Sequence, residues 1–180
     1  SVLNGTEFST QSVTVTVTSE DTAPTVELLV GQSTISENTA VATSSTSVTA
    51  KLSAVSGLDV IVTFAKSSTS AVDVTDYTLS ATSVTVPAGS SFASVTLSSV
   101  HDLLNESEET VTISILGVGA NATILGGAQA QIVTIQDNDA LPVVTLAVGS
   151  NSISEVDGTT SVTVTITPVS GRDVTVVLTK

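Results

Sequence analysis

Hydrophobic and polar residues alternate along most of this chain with a period of two. Successive side chains of a β-strand project to opposite faces, so this pattern predicts strands with one face on a core and the other in water. No segment has the roughly 3.6-residue hydrophobic period of a helix over a length that would predict one. The apolar sets are Val13, Val15 and Val17; Val48, Ala50 and Leu52; Val60, Val62 and Phe64; Val84 and Val86; Val95 and Leu97; Val111, Ile113 and Ile115; and Val162, Val164 and Ile166.

Turn-forming residues separate these segments at regular intervals. They include Ser56-Gly57, Pro87-Ala88-Gly89 and the glycine-rich stretch at residues 117–121. Short alternating strands with frequent turns are typical of antiparallel β-sandwiches. The composition agrees, because Val, Ile and Thr favour strands, and the chain has no Trp, Met or Cys and only four aromatic residues. We therefore predict an all-β fold.

The chain also repeats itself. The segment PTVELLVGQSTISE at residues 24–37 aligns with PVVTLAVGSNSISE at residues 142–155, and VSGLDVIV at 55–62 aligns with VSGRDVTV at 169–176. We predict C-terminal strands of one repeat at residues 1–22, a complete repeat at 23–139, and N-terminal strands of the next repeat at 140–180. Both flanks are incomplete repeats, so we expect a longer multi-repeat polypeptide or a fibre built from it.

The charge balance narrows the range of partners. The net charge is −13 with only four Lys and Arg residues, so nucleic acid and anionic membrane surfaces should be repelled. The absence of cysteine excludes disulfides and thiol catalysis. No apolar run approaches the roughly 18 residues of a membrane span, and we expect no membrane insertion.

Acidic residues concentrate where the ends of the repeat should meet. Two carboxylates about 5 Å apart repel by roughly 3 kcal/mol at an effective dielectric constant near 20, so gathering five or six of them is costly without a cation. Calcium binds six to eight oxygen atoms and suits flexible acidic loops. From spacing alone, either a metal site or separate solvated turns remains open.

The complete repeat resembles a Calx-beta domain. The motifs that carry the resemblance are SEN at residues 36–38, VSGLDVIVTF at 55–64, DY at 76–77, VPAGSSFASVTL at 86–97, HDLLNESEETVTI at 101–113 and VTIQDND at 133–139. They occur in order over the whole repeat. The resemblance implies an Ig-like Greek-key β-sandwich of about seven strands per repeat, with calcium bound at one end among acidic loops.

The resemblance also implies which residues bind the metal. Carboxylates would come from Glu37, Asp76, Asp102, Glu106, Glu109, Asp137 and Asp139, a backbone carbonyl from Leu104 and an amide from Asn138. Calcium-rich members of the family carry consecutive aspartates where this chain has His101-Asp102 and Asp137-Asn138-Asp139. We therefore expect one or two calcium ions per complete repeat.

Catalysis has little support in the sequence. The single histidine, His101, precedes Asp102, but a hydrolytic triad would need one specific serine among very many. A loop histidine that takes the place of a metal ligand is the favoured interpretation, and we predict that the chain is not an enzyme.

We expect a structural module of a bacterial surface adhesin or filament, extracellular on the cell surface or secreted, with calcium stiffening the junction between neighbouring repeats. Its partners would be neighbouring repeats of the same polypeptide or fibre, and a cell-surface receptor or glycan is a further candidate. Two alternatives stay open: a ligand- or glycan-binding adhesion module, which exposed loop aromatics would favour, and a calcium-sensing domain.

Overall fold

A computed structural model describes residue 5 and residues 12–37, 44–72, 74–126 and 129–179. Ten strands form a two-sheet sandwich, and two more form a separate sheet. Seven sandwich strands have four or more residues: β1 (Thr25–Val30), β3 (Ser45–Leu52), β4 (Val60–Ser68), β6 (Ser83–Val86), β7 (Phe92–Ser99), β8 (Glu109–Val118) and β10 (Ala130–Gln136). The short ones are β2 (Thr34–Ser36), β5 (Tyr77–Leu79) and β9 (Thr123–Ile124), and the separate sheet contains β11 (Val143–Val148) and β12 (Val162–Thr167). The predicted all-β sandwich is confirmed.

The two sandwich sheets have five strands each. The first sheet has the order β5-β7-β3-β1-β9 and the second β2-β10-β8-β4-β6. Neighbouring strands are antiparallel except for two pairs, β1 with β9 and β10 with β2, which are parallel. The β10–β2 pair matters for function, because two parallel strands that end together bring the residues after them to the same edge of the sheet.

The core lies between the sheets and consists mainly of aliphatic side chains. All nine positions that alternation most clearly assigns to the core are buried: Val48, Leu52, Val62, Phe64, Val95, Leu97, Val111, Ile113 and Ile115. Strands β1 and β10 add Val26, Leu28, Val133 and Ile135. Burying one such aliphatic side chain stabilises the fold by about 1.5–3 kcal/mol, so the shape of the domain is set by many small side chains rather than by large aromatic ones.

One predicted strand is not formed. The alternating residues Val13, Val15 and Val17 lie in a stretch without strand structure, and each is at least 79% exposed. Alternation predicts which face would be buried, but a strand also needs a neighbour to pair with, and this stretch belongs to none of the sheets in the described part of the chain. No helix in those same ranges is long and apolar enough to cross a membrane.

Candidate metal site

The acidic residues of the sandwich meet at one end because of how the second sheet is paired. Gln136 of β10 lies beside Ser36 of β2 in the parallel pair, so Glu37 and Asp137 follow at the same edge. Strand β8 runs antiparallel to β10 and begins at that edge, where Glu109 pairs with Ile135. Three loops of the second sheet therefore converge.

The first sheet contributes the other half of this end. Tyr77 at the start of β5 pairs with Ser99 at the end of β7, which places Asp76 just before one strand and His101 just after the other. The buried Ser99 hydroxyl donates a hydrogen bond to the carbonyl oxygen of Ser36, 3.1 Å away in the opposite sheet. This bond ties the end of β7 to the loop that carries Glu37.

Two groups of side chains could each hold a metal ion. Cluster 1 contains Glu37, His101 and Asp139, and cluster 2 contains Asp76, Glu106 and Glu109. Within each cluster, the potential ligand atoms all lie within 4.8 Å of one another. The loops that could have been separate solvated turns thus do converge.

Burial and repulsion from like charges raise the pKa values of three glutamate carboxyl groups in the site. The pKa of Glu37 rises from 4.5 to about 7, first because the group is buried and then because Asp102, Asp137, Glu106 and Asp139 carry like charge. Burial also raises the pKa of Glu106, with Asp102 and Asp76 as the next causes. These mutual effects show that the two clusters form one electrostatic site.

The pKa of Glu109 also rises to about 7. Burial is the largest cause, followed by the charge of Asp76 and by a hydrogen bond between the two carboxyl groups. A hydrogen bond between two carboxyl groups needs a proton on one of them, so ionisation of Glu109 removes this bond and places two negative charges at close range. Without a cation, Glu37 and Glu109 would therefore be partly protonated near neutral pH, which lowers the negative charge of the site.

Local turns hold several of these carboxylates in place. Asp102 accepts a hydrogen bond from the backbone N–H of Leu104 at 2.7 Å, and Asp137 accepts one from the N–H of Asp139 at 3.1 Å. Asp76 accepts a bond from the N–H of Val72. Hydrogen bonds like these, between a side chain and a backbone N–H only a few residues away, order the loops and leave other carboxylate oxygen atoms available.

Four buried polar atoms in the site have no hydrogen-bond partner among the residues that the structure describes: Glu37 Oε2, Glu109 Oε2, Asp139 Oδ2 and His101 Nδ1. The Glu37 side chain is only 4% exposed. Burying an unpartnered polar atom costs about 1–3 kcal/mol, and this cost would be relieved by a cation in cluster 1 for three of the atoms and by a cation in cluster 2 for Glu109 Oε2. The donor set, dominated by carboxylate oxygens, fits a hard divalent ion such as calcium, and His101 adds one nitrogen to cluster 1.

The sequence-based ligand set is thus largely brought together. Five of the seven predicted carboxylates belong to the two clusters, and Asp102 and Asp137 lie near enough to raise the pKa of Glu37. His101 lies in cluster 1, and its role as a metal ligand stays a prediction. Asn138 is exposed, and the roles of its amide and of the Leu104 carbonyl stay predictions.

Asn105 is a site residue that the sequence analysis missed. It is 7% exposed, and its side-chain amide donates to the Asp137 carboxylate at 2.8 Å and to the Asp139 carbonyl oxygen at 3.2 Å. The only signal in the sequence is its position between acidic residues, because an amide among carboxylates can donate hydrogen bonds to them. Asn105 fixes the exit of β10 to the loop before β8.

Comparisons with solved structures agree with this architecture. The apo-form Calx CBD1 domain superposes with a TM-score of 0.53 at 16% sequence identity, covering 64% of this chain and 99% of that one. The sandwich has the Calx CBD1 fold. CBD12 from CALX1.2 matches with a TM-score of 0.51 at 16% identity, covering 63% of this chain and 45% of that one. The calcium binding domain CBD12 of CALX1.1 gives a TM-score of 0.51 at 16% identity, over 63% and 46% of the two chains.

The fold that the resemblance implies is therefore confirmed. At this level of identity the likeness concerns the fold alone. No protein-family model matches the chain, and no curated protein matches it.

Proposed function

We propose that this chain is a stretch of tandem structural repeats from a bacterial surface adhesin or filament, in which calcium at the acidic end of one repeat stiffens its junction with the next. The contact between the acidic loop and the following segment carries the proposal. Asn105, which holds Asp137 and Asp139, also accepts hydrogen bonds from Gly171 and Ser170 of the segment after the sandwich.

The metal would act by closing the loops around the junction. Cluster 1 contains Asp139, which begins the exit toward Pro142, and cluster 2 contains Glu106, which follows Asn105. An ion bound to either cluster restrains a residue that borders the junction. The residues that would hold calcium are Glu37, Asp76, Glu106, Glu109 and Asp139, with Asp102 and Asp137 alongside.

A role outside the cell agrees with the acidic, Ser- and Thr-rich composition. The glycan-binding alternative gains nothing from the aromatic residues of the described ranges: Phe64 and Tyr77 are buried, and Phe92, 61% exposed, begins a strand. The calcium-sensing alternative shares the same metal site and stays a prediction, as does the absence of enzymatic activity.

Calcium titration by calorimetry tests the metal site directly, with thermal unfolding in calcium and in chelator as the second measurement. We expect binding and an increase in melting temperature of several degrees, since a ligand at a hundred times its dissociation constant stabilises the folded state by about 2.7 kcal/mol. The variant Glu106→Ala/Glu109→Ala should lose both effects. The matched control Glu108→Ala/Glu155→Ala removes the same charge from exposed positions and should retain them.

Solution scattering of the same samples tests the stiffening. Calcium should narrow the distribution of particle lengths for the parent chain and for the control variant but not for the Glu106/Glu109 variant. If chelator changes neither the melting temperature nor the scattering of the parent chain, the acidic residues are a solvated surface and calcium has no role in this repeat.

A further inference from the structure

The junction after the sandwich contains a specific contact between two parts of the chain. The N–H of Gly171 donates to the carbonyl oxygen of Asn105 at 3.2 Å, and the Ser170 hydroxyl donates to the same oxygen at 3.4 Å. Asn105 and Ser170 form an isolated parallel bridge. The acidic loop is therefore docked on the Ser-Gly turn of the following repeat segment.

The complete repeat contains the same turn at the corresponding position. Ser56-Gly57 aligns with Ser170-Gly171 in the repeated VSG motif. In both copies the serine hydroxyl accepts a bond from the N–H two residues later, at 3.0 Å from Leu58 in one case and 3.0 Å from Arg172 in the other. The sandwich therefore has, at the end opposite its acidic loops, a copy of the Ser-Gly turn that contacts the acidic loop at the junction.

The surroundings of this turn explain why glycine is present in one copy but not why it is present in the other. A Cβ atom at Gly171 would lie 2.5 Å from Glu106 Oε1 and 2.8 Å from its Cγ, so a side chain there would require the Glu106 side chain of the docked loop to move. A Cβ atom at Gly57 would meet nothing within 4 Å, and the φ angle of Gly57 lies outside the left-handed region. Neither space nor backbone conformation in the described chain requires glycine at position 57.

The linker before the sandwich also matches the one after it. The N–H of Asp21 donates to the Ser19 hydroxyl at 3.3 Å, as the N–H of Asp139 donates to the Asp137 carboxylate at 3.1 Å. Both bonds span two residues at aligned positions of the repeat. At the second junction, Asn105 bridges this linker turn and the Ser-Gly turn.

The two matching elements border one groove of 780 Å³ at the end of the sandwich opposite the acidic site. We propose that this N-terminal groove binds the acidic loop of a repeat placed N-terminal to it, through a carboxamide side chain that donates to the Asp21 carbonyl and a backbone carbonyl that accepts from Gly57. The groove is lined by Ser19, Asp21, Pro24, Gly57, Leu58 and Asn121, among others.

This inference rests on the tandem arrangement proposed above and adds the receiving surface. Each repeat then has two unlike ends, an acidic loop that docks and a groove that receives it, which is the geometry of an open head-to-tail array rather than a closed pair. The contact consists of hydrogen bonds and a close approach of backbone, so it can form whether or not metal is bound.

Cysteine cross-linking tests the contact in a chain in which residues 24–141 occur twice in tandem and residues 142–180 follow the second copy, so that the groove of the second copy follows a complete repeat. The parent has no cysteine, which leaves the introduced pair as the only possible disulfide. We pair Glu106→Cys of the first copy with Gly57→Cys of the second. Because a Cβ atom at the aligned Gly171 lies within 3 Å of Glu106 Cγ, oxidation should give nearly complete cross-linking.

Two further pairs make the result decisive. Glu106→Cys with Gly171→Cys, both around the last junction, reports the contact seen here and should also cross-link. Glu106→Cys of the first copy with Ser94→Cys of the second copy, on an exposed strand position, should not. If the Gly171 pair forms and the Gly57 pair does not, the groove is not a docking site although the repeats remain in tandem. If neither forms, the junction itself and the proposed function both fail.

A substitution without cysteine gives an independent readout in the same duplicated chain. Gly57→Val in the second copy should lower the melting temperature by several degrees, because the valine side chain competes for space with the Glu106 side chain of the docked loop. Gly57→Val in the first copy should leave it unchanged, since a Cβ atom at this position has open space. Equal melting of the two variants would overturn the proposal.

Discussion

The hairpin β1–β3 and the hairpin β11–β12 have nearly the same sequence pattern and the same register, but different surroundings. Val26 pairs with Leu52 in the first, and Val144 pairs with Ile166 in the second. The hydrogen bonds that close the two hairpins match as well. The N–H of Gly31 donates to the Ser47 carbonyl oxygen at 2.9 Å, and the N–H of Gly149 donates to the Ser161 carbonyl oxygen at 2.9 Å. The four-residue shortening between the copies falls in the loop and leaves the ladder unchanged.

Burial separates the two hairpins. Leu28 of β1 is fully buried, whereas its counterpart Leu146 of β11 is 58% exposed. Strand β1 faces the second sheet of the sandwich, and β11 belongs to a two-stranded sheet. The comparison shows that the repeated sequence specifies pairing and register locally, while the opposite sheet supplies the hydrophobic stabilisation.

The largest expected difference between the copies concerns this leucine. Leu28→Ala should destabilise the sandwich by about 2–5 kcal/mol, because it leaves a cavity in a packed core. Leu146→Ala, the same substitution at the aligned position, should change the free energy of unfolding by less than about 0.5 kcal/mol. Urea unfolding followed by far-UV circular dichroism measures both. Similar losses in the two variants would mean that β11 is buried in solution.

Periodicity was sufficient to predict the fold because burial and alternation coincide in the sandwich. Val111, Ile113 and Ile115 alternate in sequence and are all buried. The same rule failed for Val13, Val15 and Val17, which alternate equally well but pair with no strand of the described chain. Alternation identifies the face of a strand, whereas the presence of a partner strand is a long-range property.

The metal-site residues were predicted through a resemblance rather than through spacing. Spacing left open whether Glu37 and Asp139, about a hundred residues apart, would converge, and only the pairing of β2 with β10 brings them together. Asn105 could not be found this way, because its role depends on hydrogen bonds to Asp137 and Ser170 that no local pattern encodes. The repulsion between carboxylates indicates that they need a cation or hydrogen-bond donors nearby. It does not indicate which residues supply those donors.

A second contrast between the copies concerns charge. Glu37 is buried with a pKa raised to about 7, and the aligned Glu155 is exposed. In the unfolded chain Glu37 loses its proton near pH 4.5, so between about pH 4.5 and 7 the folded state binds more protons than the unfolded state. Stability in chelator should therefore fall as pH rises through this window, and the penalty is complete above pH 7.

Glu37→Gln should remove that penalty, because glutamine resembles the neutral acid. In chelator at pH 8 the variant should be more stable than the parent by on the order of 2–3 kcal/mol, and near pH 4.5 the two should be nearly equal. The Glu155→Gln variant should be as stable as the parent at both pH values. Thermal unfolding across this pH range measures the effect, and a destabilised Glu37→Gln variant at pH 8 would show that the apo site is not strained by charge.

The smallest expected difference concerns one hydrogen bond that both copies make. The Thr46 hydroxyl accepts a bond from the N–H of Gln32 at 2.6 Å, and the aligned Thr160 hydroxyl accepts one from the N–H of Ser150 at 2.7 Å. Thr46 is 4% exposed and Thr160 is exposed. Valine has nearly the shape of threonine but cannot accept, so each substitution leaves one backbone donor without this partner.

Only the buried case should be costly, because water can replace the lost acceptor at an exposed site. Thr46→Val should lower stability by about 1 kcal/mol, roughly 4 °C in melting temperature for a domain of this size, and Thr160→Val should change it by less than about 0.5 kcal/mol. Amide hydrogen exchange should accelerate at Gln32 in the first variant and at Ser150 in the second, which confirms that each bond was removed. If both variants lose the same stability while exchange changes as expected, then the hairpins are stabilised by their local bonds alone, and the opposite sheet adds nothing at this end of the strand.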